Sequence, residues 1–72
     1  MARQMIMPTL FFRKLVQRIR DEFEYFPDLR LTASEAARFW GLDLATSERV
    51  LSELLLSGFL TRSADNRYRH VA

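Results

Sequence analysis

Residues 31–60 read LTASEAARFWGLDLATSERVLSELLLSGFL, and the order of caps and apolar positions within them decides the fold. Thr32 followed three residues later by Glu35 predicts a capping box, in which the hydroxyl accepts from one orphan N–H at a helix start while the carboxylate accepts from another. A helix beginning there lasts two turns, because Gly41 supplies the positive φ that lets the chain leave it sharply. The small Ala36 and Ala37 let a second helix approach closely. That helix starts after Asp43, whose side chain caps the first turn and whose charge suits the positive end of the dipole. At 3.6 residues per turn Val50, Leu51, Leu54 and Leu55 gather on one face, leaving Ala45, Thr46, Arg49, Ser52, Glu53 and Leu56 outward. Gly58 ends the helix, and Phe59 is placed to fold back on its last turn.

The flanks extend this unit on both sides. Upstream, Pro8 and Thr9 read as a helix start, proline being tolerated in a first turn. Over residues 10–25 Phe11, Phe12, Leu15, Val16, Ile19 and Phe23 fall within about 140° of a helical wheel, the strongest amphipathic pattern in the chain. Pro27 disfavours helical geometry at Phe26, so the helix stops there. Residues 29–31 alternate Leu, Arg, Leu, which fits a three-residue strand with both leucines inward. Downstream, residues 59–62 and 67–71 are extended candidates joined by Ser63, Ala64, Asp65 and Asn66, a turn-forming cluster, and so predict a hairpin. An isolated hairpin is marginal in water, so residues 29–31 are expected along its edge as a third strand. The expected organisation is an N-terminal arm, residues 1–8, and a single domain, residues 9–72, mostly α with a small β-hairpin.

Seventy-two residues leave room for one core, burying about 60% of the surface that the unfolded chain exposes. Hydrophobic residues make up 49% of the chain and include six Phe, two Tyr and one Trp, enough bulk to fold rather than stay disordered. The absence of cysteine excludes disulfides, thiolate metal sites and a cysteine nucleophile, and with one histidine no metal or other cofactor is expected. The hydroxyl side chains lack a His/Asp arrangement, so the chain does not read as an enzyme. Net charge is only +2, but its distribution is uneven. Residues 1–20 hold Arg3, Arg13, Lys14, Arg18 and Arg20 without an acid, and Asp21, Glu22, Glu24 and Asp28 follow at once. No apolar run approaches a membrane span and the start is too short for a signal peptide, so a cytoplasmic chain is expected.

Helix, strand, helix, turn, helix, hairpin is also the order of a known architecture. Residues 31–68 resemble the winged helix-turn-helix regions of bacterial transcription regulators: SEAARFWGLD matches the first helix and turn, VLSELLLSGFLTR the end of the recognition helix running into the wing, and DNRY the wing tip. The resemblance implies three helices with a two- to three-stranded antiparallel sheet. In DNA-binding members the N-terminal half of the second helix of the motif enters the major groove and the wing touches the backbone or minor groove. Carried over, this implies double-stranded DNA as partner, with Ala45, Thr46, Ser47, Arg49 and Ser52 facing the groove and Arg62, Arg67 and Arg69 holding phosphates. The same pattern also occurs in domains that bind RNA or proteins.

Several of these residues have a plainer reading. Arg49 presents a planar fork suited to guanine or phosphate, but Glu53 one turn on is placed to pair with it. Glu48 and Glu53 outnumber Arg49, and Ser47 falls in the buried arc. Arg62, Arg67, Arg69 and His70 would equally protect an edge strand from pairing. The aromatic set Phe11, Phe12, Phe23, Phe39 and Trp40 reads as core. The basic residues of the first helix either keep it soluble or supplement the recognition helix at the DNA backbone. Together these features predict a small DNA-binding transcription regulator acting as a homodimer, with Leu10 off the main apolar arc as first candidate for contact and Met5, Ile6 and Met7 adding apolar surface. The alternative is a protein-interaction module that meets a partner chain through Leu56 and the acidic residues of its last helix. Neither reading involves a membrane or a small-molecule ligand.

Overall fold

A computed structural model describes residues 9–71. Three helices, α1 (Thr9–Tyr25), α2 (Ala33–Trp40) and α3 (Leu44–Leu56), precede a hairpin of β1 (Leu60–Arg62) and β2 (Tyr68–His70). The expected arm, with Met5, Ile6, Met7 and Pro8, lies outside the described residues.

Local chemistry sets the helix ends where expected. The amide of Phe26 still donates to the Glu22 carbonyl at 2.9 Å, and the chain then turns at Pro27. At the start of α2 the Thr32 hydroxyl accepts from the Glu35 amide at 3.1 Å while the Glu35 carboxylate accepts from the Thr32 amide at 2.9 Å, a complete capping box. Gly41, at φ 66°, ends α2, and the Leu42 amide donates back to the Ala37 carbonyl at 2.8 Å. Asp43 caps α3 by accepting from the Thr46 amide at 3.2 Å. Gly58, at φ 83°, closes α3, its amide bonding to Leu55 and that of Phe59 to Leu54. This paired pattern is the Schellman closure.

The core forms around α3, which packs on α2, α1 and β1. Val50, Leu51 and Leu54 are buried against Ile19 and Phe23 of α1, Ala36 of α2 and the hairpin residues Leu60 and Tyr68. Leu55 is half-buried at the margin. Phe23 and Trp40 meet at 5.8 Å between ring centroids, which ties α1 to α2.

Two expectations need correction. The third strand shrinks to a single bridge: Leu31 exchanges backbone hydrogen bonds with Tyr68 at 3.2 and 2.7 Å, and the sheet proper is the two-stranded β1–β2 ladder pairing Leu60 with His70 and Arg62 with Tyr68. The cause is local: the ladder would next need Leu29 opposite His70 and Ala33 opposite Asn66, but the Leu29 amide already donates to the Phe26 carbonyl at 3.0 Å and Ala33 begins α2. The aromatic set is also only partly core. Phe23 is fully buried and Phe12 and Trp40 are half-buried, but Phe11 and Phe39 are 58% and 56% exposed. Phe11 sits about 100° round the wheel from the middle of the buried stripe. The two-turn α2 turns Ala36 and Ala37 inward and leaves Phe39 edge-on against Trp40, with centroids 5.1 Å apart.

Candidate nucleic-acid interface

The outward face of α3 carries Ala45, Glu48, Arg49, Ser52, Glu53 and Leu56, all exposed. Two residues expected there behave differently. Thr46 is half-buried, and Ser47 is 1% exposed with its hydroxyl donating to the Ala33 carbonyl at 2.8 Å. Ser47 therefore joins α3 to the first turn of α2 and presents nothing outward. Its place in the buried arc of the wheel was the signal.

Arg49 makes no ion pair with Glu53; among the described residues the only ion pairs belong to Arg67. Instead its guanidinium lies 4.7 Å from the centroid of the Phe12 ring, bridging α3 to α1 by a cation–π contact. With Ala45, Glu48, Ser52, Glu53 and Leu56 it lines a shallow groove of about 430 Å³.

On the hairpin the three expected arginines diverge. Arg62 donates to the Tyr68 hydroxyl at 3.3 Å, with its guanidinium carbon 5.7 Å from that ring. Arg69 pairs across the ladder with Thr61, and the two-residue period of a strand puts it on the face opposite Arg62 and Tyr68. Arg67 is drawn inward to the Glu35 carboxylate at 2.9 Å and also meets Asp65 at 3.3 Å. Glu35 is thus held below the ordinary glutamate value, first by the Thr32 amide and then by the Arg67 and Arg38 charges. Asp65 is held low chiefly by the Ser63 hydroxyl and further by Arg67. Asp43 is lowered by its capping bonds to Thr46. His70 stacks on Phe59 at 4.2 Å, with Arg20 of α1 also 4.7 Å from that ring.

The hairpin packs near the start of α2, and this creates two features that sequence reasoning missed. A cleft of about 250 Å³ opens between the start of α2, the start of α3 and the hairpin, lined by Thr32, Ser34, Leu44, Glu48, Arg62 and Asn66. The capping box takes the Thr32 and Glu35 amides, so of the first turn of α2 only Ala33 and Ser34, both lining this cleft with Glu48 opposite, keep amides without an intrahelical acceptor. On the other side of the capping box, Arg30, Arg38 and Arg67 surround Glu35 in a shallow depression. Three guanidinium groups stand against Glu35 and the Asp65 that also pairs with Arg67, which leaves the patch basic through Arg30 and Arg38. Arg30 and Arg38 gave no signal in the sequence because they lie on either side of the α2 start, and Arg67 joins them only through the Leu31–Tyr68 bridge. Asn66 was legible as a turn residue, and it takes the left-handed conformation at φ 65° that asparagine tolerates.

Comparisons with protein-family models, with curated proteins and with solved structures each return no significant match. Among the described residues no helix is long and apolar enough to cross a membrane.

Proposed function

We propose that the chain is a winged helix-turn-helix protein that binds double-stranded DNA, a small cytoplasmic transcription regulator acting as a homodimer. The observation that carries this reading is the cleft that brings the starts of α2 and α3 to the hairpin arginine Arg62, with the Arg30, Arg38 and Arg67 patch beside it. Helix N-termini and guanidinium groups are the usual donors to phosphate oxygens, and they position a protein on the duplex without reading its sequence. On this reading α3 is the recognition helix, with Ala45, Arg49 and Ser52 toward the bases, the half-buried Thr46 at the margin, and the hairpin as the wing. The acidic Glu48 and Glu53 leave α3 itself negative, so affinity comes from the arginines around it and depends strongly on salt.

Titration of the purified protein with random-sequence duplex at about 50 mM and about 200 mM salt tests the reading, because counterion release favours binding most at the lower concentration. Binding that weakens steeply with salt is expected, and no binding at about 50 mM overturns it. Arg49→Ala is expected to erase preference between sequences by about 1–3 kcal/mol, while Arg62→Ala weakens all duplexes alike. A second reading, a protein-interaction module, is favoured by one specific observation. Leu56 is 84% exposed at the edge of the α3 groove, next to Glu53. Leu56→Ser would abolish partner binding on that reading and leave duplex binding unchanged on the first.

A further inference from the structure

α1 carries its charges against its own dipole. Arg13, Lys14, Arg18 and Arg20 come first along it and Asp21, Glu22 and Glu24 follow, with no acid in the first turn and no base in the last. A helix dipole favours the reverse arrangement. Nothing within the fold offsets this, because among the described residues none of these side chains forms an ion pair. Gln17 donates to Asp21 at 2.9 Å, and Arg20 lies over Phe59. An antiparallel helix of the same kind would offset it at both ends.

The solvent face of α1 is patterned for such a partner. Phe11, Lys14, Arg18, Asp21 and Tyr25 recur at alternating steps of three and four, within about 80° of the wheel and turned away from the core. All five are exposed, Tyr25 at 79%. The ends of this stripe are aromatic and its middle is charged. Beside it runs a groove of about 290 Å³ lined mainly by Phe11, Leu15, Trp40 and Leu42, with Lys14 and Arg18 at its rim.

We propose that this face of α1 is a self-association surface whose occupant is the α1 of a second copy, running antiparallel. With the two-fold axis crossing α1 between Gln17 and Arg18, Lys14 of each chain lies opposite Asp21 of the other. Leu10 and Phe11 then lie opposite the second copy's Tyr25, whose ring reaches the end of the groove at Phe11. Each contact occurs twice, as an isologous interface requires. A parallel pair would instead set Lys14 against Lys14 and Asp21 against Asp21. The charge order therefore selects the antiparallel orientation. The inference rests on the dimeric part of the proposed function and is independent of its DNA part.

Sedimentation equilibrium of the full chain at tens of micromolar and about 50 mM salt tests it, with circular dichroism confirming that each variant is folded. The wild type is expected to approach twice its 8.5 kDa mass and to dissociate as salt rises. Lys14→Glu alone and Asp21→Lys alone should each weaken the dimer about tenfold, since two pairs become repulsive, and the combined variant should restore it. Tyr25→Ala, which leaves the charges intact, should also weaken it. A wild type that stays monomeric, single reversals that leave the dimer intact, or a combined variant that stays dissociated would each overturn the proposal. Duplex titration of the same samples keeps the ideas apart: a dimer that the charge reversals leave intact sinks this interface alone, a monomer that binds duplex sinks the homodimer and keeps the DNA reading, and a dimer that binds none sinks only the DNA reading.

Discussion

The junction of α2 with α3 and the hairpin both turn on residues with positive φ, yet they are held by different forces. At the junction, the Gly41 closure and the Asp43 cap set α3 so that it buries Val50, Leu51 and Leu54 almost completely. The hairpin inserts only Leu60 and Tyr68 into that core and fixes its tip through polar contacts: Ser63 with Asp65, Arg67 with Asp65 and Glu35, and Arg62 with Tyr68. One region depends on apolar burial, which is insensitive to pH and salt. The other depends on charges, which are not. The candidate cleft lies where the two meet.

The largest effect should come from breaking the junction. Leu54→Ala removes a side chain only 3% exposed and should cost about 2–5 kcal/mol, comparable with the whole stability of a domain this small. Urea unfolding measures it, and a midpoint equal to the parent's would mean that α3 does not face the core as described. Thr32→Ala acts at the seam between the regions, because the same residue caps α2 and adjoins the Leu31 bridge to the hairpin. A loss of about 1 kcal/mol is expected. Hydrogen exchange should show the Tyr68 amide, which donates to Leu31, opening in step with the first turn of α2.

Arg67→Ala should cost less, about 1 kcal/mol or under, since its ion pairs are partly solvated. Its effect should be confined to the hairpin. Faster exchange at the Ser63 and Asn66 amides with an unchanged junction sharpens the contrast, and equal acceleration throughout α3 would remove it. Acid should act in the same place. Glu35 and Asp65 titrate below their ordinary values when folded, so the unfolded chain binds protons more readily and stability falls as pH drops. Their contribution is complete above about pH 5 and is lost below about pH 4, through the lowered range. Hairpin amides should lose protection in that window before junction amides do. Asp43 follows the same direction at the α3 cap and sets the junction's own acid response.

What the sequence determined by itself is the set of elements. Thr32 with Glu35, Asp43, Gly41, Gly58 and Pro27 act within about four residues of their own positions, so capping and turn chemistry can be read without knowing the fold. The apolar face of α3 follows in the same way from helical period, and so does the charge order of α1. Only the tertiary structure decided which polar residues face outward. Ser47 is spent on the Ala33 carbonyl, and Arg67 on a carboxylate 32 positions away. Residues 29–31 give up a strand because the Leu29 amide is held in the preceding turn by the Phe26 carbonyl and Ala33 already belongs to α2. Arg30, Arg38 and Arg67 become a basic patch by the same convergence of separate elements. Each of these outcomes is a competition for one donor, one acceptor or one patch of space between groups distant in the chain, and no local pattern records who wins it.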